Sequence, residues 1–168
     1  MAKLVRGPFT VDWGNNTLTD VEEVSIEYEQ DSEEYSTIQQ RTYQVDGAIK
    51  VSATITLLAS DIEALAAVLP QYYIEDGSVL STGETVDSSV GAIDVLARCG
   101  GDVYNDLTIK SCGNPSQVLR LVNCRTKIDS IENDKTIRKV LVKFIGESEQ
   151  GQAPIQFFEE GAVNNPIS

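Results

Sequence analysis

Ile49-Lys50-Val51-Ser52-Ala53-Thr54-Ile55-Thr56-Leu57 alternates apolar with polar residues without a break. A period of two puts Ile49, Val51, Ala53, Ile55 and Leu57 on one face of a half-buried β-strand and Lys50, Ser52, Thr54 and Thr56 on the other. Upstream, Val24, Ile26 and Tyr28 alternate with Glu23, Ser25, Glu27 and Glu29, which gives a second strand with one apolar and one acidic face. Downstream, Ser60 with Glu63 reads as a capping box, and Ile62, Leu65, Ala66 and Leu69 follow at helical spacing. Pro70 has no amide to donate and restricts the residue before it, so this helix stops by Val68 or Leu69.

Residues 75–92 are rich in Gly, Ser, Thr, Asp and Glu and predict a long surface excursion, with room for a short hairpin. Strand signals resume at 93–96, 104–111, 118–128 and 137–145, with turns at Gly113-Asn114-Pro115 and Glu132-Asn133-Asp134. The expected fold is mainly β, a sandwich or small barrel with one short flanking helix over about 60–69 and extended loops. The last two strands are apolar on both sides: Val140, Val142 and Phe144 oppose Leu141 and Ile145, and Leu119 and Leu121 oppose Val118 and Val122. Either the same chain or another subunit covers the second face.

The chain has 168 residues, 13 Lys plus Arg, 26 Asp plus Glu and no histidine, for a net charge of −13. That length suits one domain, expected to span 1–168 with flexible arms at about 1–6 and 150–168. Without histidine, every mechanism that needs imidazole is excluded, as is the commonest metal ligand. The acidic balance argues against tight binding to a phosphate backbone, where affinity comes from Lys and Arg. No phosphate-cradling glycine loop, nucleophile elbow or EF-hand loop is present. The Asp102, Asn105, Asp106 cluster matches no established cation loop. No catalytic residue, cofactor or metal is expected. Cys99, Cys112 and Cys124 lack zinc-site spacing; they are either buried thiols or partners in disulfides within or between subunits. No apolar run is long enough to span a membrane, and the start lacks the apolar segment of a signal peptide, so a product made in the cytosol is expected.

Charge is distributed unevenly. Residues 20–34 hold eight acids and no base, while 120–143 hold seven bases against three acids. Surfaces of opposite sign suit a head-to-tail assembly, a pairing inside one chain or two solvated faces.

Gly7-Pro8-Phe9-Thr10-Val11-Asp12-Trp13-Gly14, the passage from Ile49 to Pro70, and Ile137-Arg138-Lys139-Val140-Leu141-Val142-Lys143-Phe144-Ile145-Gly146 together resemble the tail tube (major tail) proteins of long-tailed bacteriophages, whose fold is shared by the type VI secretion tube protein. The resemblance covers nearly the whole chain and rests on overall pattern. It implies a β-sandwich flanked by one helix and a non-enzymatic virion protein, made in the bacterial host, that assembles as hexameric rings stacked into a conduit for genome ejection. It further implies partners among tape measure, baseplate and tail-terminator proteins, a sheath if the tail is contractile, and double-stranded DNA that passes without specific binding. A long loop reaching a neighbouring ring would correspond to about Gln30 to Gly47.

On their shared strand face, Glu23, Glu27 and Glu29 are the residues expected at the lumen, where an acidic wall repels DNA within roughly 8–10 Å at physiological salt. Contacts between copies are expected at Asp31, Glu33, Glu34, Tyr35, Arg41, Tyr43, Arg120, Arg125, Lys139 and Lys143. The alternative is an acidic binding module, a DNA mimic or surface-attachment domain, that forms no tube.

Overall fold

The computed structural model describes residues 4–58, 60–97, 100–113, 115–149 and 151–163. Ten strands and one helix are present among them: β1 Arg6–Trp13, β2 Asn16–Leu18, β3 Val21–Ser36, β4 Thr42–Leu57, α1 Ile62–Val68, β5 Tyr73–Ile74, β6 Ala92–Ile93, β7 Asn105–Cys112, β8 Gln117–Asn133, β9 Arg138–Gly146 and β10 Ile155–Glu159. Eight strands form one antiparallel sheet in which β2-β1-β7-β8-β9-β4-β3 follow one another and β10 lies beside β8; β5 and β6 form a separate pair. The mainly-β class with one helix is as expected, in the form of an open sheet rather than a closed barrel.

The sheet curls round a core that follows the alternation in the sequence. Val51, Ala53, Ile55 and Leu57 of β4 meet Val140, Val142 and Phe144 of β9, Leu107 and Ile109 of β7, and Val11 and Trp13 of β1. Trp13 is the keystone. Its ring meets Phe144 edge to face at 5.9 Å between centroids, and its Nε1 donates to the Cys124 carbonyl at 3.2 Å. The apolar bulk of the indole is thereby buried with its one polar atom satisfied. Between the two ends of the curl an apolar cleft remains, lined by Pro8, Phe9 and Val11 on one side and Val24 and Ile26 on the other.

The helix runs from Ile62 to Val68 and is capped by Asp61, whose Oδ1 accepts from the Ala64 amide at 2.9 Å, in place of the expected Ser60. A carboxylate caps as well as a hydroxyl and favours the positive end of the helix, where Glu63 also lies. Asp61→Ala is expected to lower stability by about 1 kcal/mol, read as a lowered urea midpoint with an unchanged slope. Pro70 opens a 3-10 turn, Pro70–Tyr72, that carries Gln71 into the core. Of the strand expected at 93–96, only Ile93 lies in a strand, β6. The 75–92 excursion does contain a short hairpin, held by a bridge between Val79 and Thr85. The C-terminal segment expected as an arm from about 150 instead contributes β10, paired with β8 from Ile155↔Leu121 to Glu159↔Gln117.

The two-faced apolarity of β8 has a local cause. Between Leu121 and Cys124 the strand gains one residue relative to β7, and Asn123 sits there with φ 54°. This bulge inverts the alternation: Leu121 is buried in the core before it, and Cys124 and Thr126 are buried after it. Val118, on the other face, is covered by the same chain, between its β10 partner Phe158 and the Arg120 side chain that lies over the Phe158 ring. Asn123 itself is tied down, its amide donating to Asp106 Oδ1 at 2.9 Å and its side chain to the Glu147 carbonyl at 2.6 Å.

Candidate assembly surfaces

Three surfaces stand out, each a direct result of register. The first is the outer face of the four strands β3, β4, β9 and β8. Glu27 aligns with Ser52, Ile145 and Arg125 in one row, and Ser25 with Thr54, Lys143 and Lys127 in the next. The expected lumen residues Glu23, Glu27 and Glu29 therefore do share a face, as an acidic column on β3. The same face carries a basic column on β9 and β8, two and three strand spacings or about 10 and 14 Å away.

The second surface is the projecting part of β3 and β4. These strands have 16 residues each, about 50 Å of chain if straight. From Glu27 to Ile49 every residue is exposed. The stretch expected as a loop over 30–47 is thus a paired hairpin, closed by a tip in which the Thr37 amide donates to the Arg41 carbonyl at 2.8 Å. A bulge at Asp31 bends it, and Gly47 lies opposite, where a Cβ would come 3.2 Å from the Asp31 carbonyl oxygen. Tyr28 and Ile49 continue the core parity up to the bulge, and beyond it Tyr35, Tyr43 and Val45 cluster on the opposite face of the arm, in register with Glu33, so exposed apolar side chains run along both halves of the arm; Tyr35 is 53% and Val45 52% exposed. The Tyr35 hydroxyl bonds to the Glu33 carboxylate, which raises the phenol above its ordinary range.

The third consists of the two unpaired strand edges that flank the first surface. Among the described residues, strand β3 pairs only with β4. Strand β8 loses β7 after Cys124, and Gln71 Nε2 then donates to the Thr126 carbonyl at 3.0 Å, capping the edge at that point. Beyond Thr126, no strand among the described residues lies along that side of β8 up to Asn133.

The expected contact residues divide by these surfaces. Asp31, Glu33, Glu34, Tyr35, Arg41 and Tyr43 all lie on the arm, where Asp31 pairs with Lys50 at 3.8 Å. Of the expected bases, Arg120 is held by Gln156 Oε1 at 2.9 Å and by the Phe158 ring, and Lys139 by Glu22 at 2.9 Å. Arg125 is bound to Glu147 at 2.6 Å. The Arg125 guanidinium, aided by the Tyr104 hydroxyl, holds the Glu147 carboxyl below its usual range, and Glu22 likewise raises Lys139. Lys143 and its neighbour Lys127 have no such partner among the described residues.

Cys112 and Cys124 are free thiols; Cys124 is buried, and burial pushes it up to about 12. The third cysteine, Cys99, lies outside the described residues. Asp106 from the weak acidic cluster spends an oxygen on the Asn123 amide. Among the described residues no group of three or more acids or cysteines is placed to hold a metal, and no helix is long and apolar enough to cross a membrane. Sequence reading missed Lys127, Gln71 and the Asn123 bulge. The run of bases at 120–143 signalled the first, and nothing local signals the others.

No protein-family model matches the sequence, and no curated protein matches it. Solved structures do share the fold. A chain of the sheath-tube complex of an extracellular contractile injection system, PVC, in its extended state superimposes with a TM-score of 0.56 at 13% identity, over 94% of this chain and 90% of that one. A chain of the PVC sheath/tube terminator gives 0.55 at 12% identity, over 94% and 96%. A chain of the anti-feeding prophage cap, which terminates the tube, gives 0.58 at 10% identity, over 95% and 94%. The fold is thus shared with chains of a contractile injection system's sheath-tube and terminator complexes and of a tube-terminating cap.

Proposed function

We propose that this chain is a non-enzymatic structural subunit of a phage-tail-like particle, which assembles into hexameric rings that stack into a tube for genome passage. The observation that carries the reading is the uncovered arm. Isolated two-stranded hairpins are marginal in water, and this one carries three exposed tyrosines beyond any core of its own. Exposed apolar area of this kind marks a binding surface, and a neighbouring ring is its natural cover. The two unlike free edges, β3 and the end of β8, support a head-to-tail interface, which closes into a ring when the rotation allows. The outer face with Glu23, Glu27 and Glu29 then forms the lumen wall, past which double-stranded DNA slides without specific contacts. Tape measure, baseplate and terminator proteins, with a sheath if the tail contracts, complete the particle, and the protein resides in the virion.

Electron microscopy of the concentrated purified protein is the test. Stacked rings are expected. Monomers that persist at high concentration and in particles overturn the reading, and single rings that never stack identify a terminator or cap instead. Tight one-to-one capture of a basic partner without rings identifies an acidic binding module.

A further inference from the structure

Lys127 and Lys143 are direct cross-strand partners on the outer sheet face. Side chains so placed have Cβ atoms about 5 Å apart, and like charges in that position destabilise the pair. The row itself does not relieve it, and Glu27 and Glu29, which line one concavity with Lys143, form no ion pair with it among the described residues. Across β4 the row continues with Thr54 and Ser25, both neutral, and the nearest guanidinium, Arg125, already holds Glu147. Elsewhere on these strands Lys139 pairs with Glu22, Arg125 with Glu147 and Lys50 with Asp31. Two ammonium groups are thus left together beside a strand edge that, among the described residues, is itself unpaired from Lys127 onward.

From this arrangement we propose that the Lys127–Lys143 pair is an acceptor for acidic side chains of a second copy of this chain, supplied by Glu23, Glu27 or Glu29 on the free edge of β3. The inference rests on the ring reading above and identifies the charges that set its register. Complementarity favours this occupant: the acidic column lies on the same face and on the opposite free edge, with no ion pair of its own among the described residues. When β3 of one copy lies along the end of β8 of another, the two columns are one strand spacing apart, about 4.8 Å. The lysines are then neutralised wherever the face lines a channel, and no bare cation is left to hold DNA.

The proposal separates stability from assembly, because reversing one lysine should help the monomer and harm the ring. Lys127→Glu places an acid opposite Lys143, and the melting point of the isolated subunit is expected to rise by about 1–3 °C. The concentration needed for assembly, read by sedimentation and microscopy, is expected to rise about tenfold or more. Lys127→Gln should have a smaller effect of the same sign on assembly, and serves if the reversal perturbs folding. Combining Lys127→Glu with Glu23→Lys, Glu27→Lys or Glu29→Lys in the same chain should restore assembly in one of the three cases. Assembly of Lys127→Glu at the wild-type concentration overturns the proposal while the ring reading stands, as does failure of all three combinations. Retention of duplex DNA by wild-type tubes that is lost in Lys127→Gln assigns the lysines to nucleic acid and overturns it as well. If the wild-type protein forms no rings, both readings fall together.

Discussion

A variant carrying Tyr35→Ser, Tyr43→Ser and Val45→Ser is expected to fold as a monomer and form no stacked assemblies at concentrations where the wild type does. All three side chains are at least half exposed and touch no core, and surface substitutions of that kind usually change stability by about 0.5 kcal/mol or less. In a docked arm the same residues become buried aromatic and aliphatic anchors. Truncating such an anchor costs on the order of 2 kcal/mol, or roughly thirtyfold in affinity, and three together remove most of an interface. The measurement pairs thermal melting with sedimentation velocity: an unchanged melting point with loss of the fast-sedimenting species is expected. Retained stacks would remove the arm from the assembly, and an early melt would show that the arm supports its own fold.

Trp13→Ala is expected to have the largest effect on stability of any single change. It removes an indole that is 1% exposed, leaves a cavity against Phe144 and deprives the buried Cys124 carbonyl of its donor. Large-to-small changes of this kind cost about 3–5 kcal/mol, a large share of the 5–15 kcal/mol typical of a whole domain. At about 2–4 °C per kcal/mol for a chain of this size, the melting point should fall by roughly 6–20 °C. Trp13→Phe loses the hydrogen bond but keeps much of the buried ring, so it should cost markedly less. Equal losses in the two variants would mean that the hydrogen bond, rather than the packing, anchors this part of the core.

Both predictions start from residues whose role is visible in the sequence to different degrees. The strand from Ile49 to Leu57 declares its buried face because one side packs on a core and the other does not, so a period of two survives in composition. The same holds for Val140, Val142 and Phe144. What stays hidden is set by partners distant in sequence. The sequence around Asn123 contains no glycine or proline to announce a bulge; the kink exists because Asp106 and Glu147, 17 and 24 residues away, satisfy the displaced backbone and side chain. The extended pairing of 30–47 is equally obscured, since a projecting arm has no buried face to enforce alternation, and its acids read as a loop. Of the assembly surfaces, the acidic column and the basic run were legible as charge. Their placement on one sheet face needed the strand order β3-β4-β9-β8, which joins the two halves of the chain.

Asn123 also sets the phase of everything that follows it along β8. Because side chains alternate strictly, losing that single residue would exchange the two faces of the strand from Cys124 onward. Thr126 would turn to solvent and the Lys127 ammonium would enter the core, whereas added or lost residues in the 75–91 excursion would shift no paired strand. The chain is thus elastic in length at one place and rigidly counted at another, and the counted place is where its charges are dealt to one side or the other.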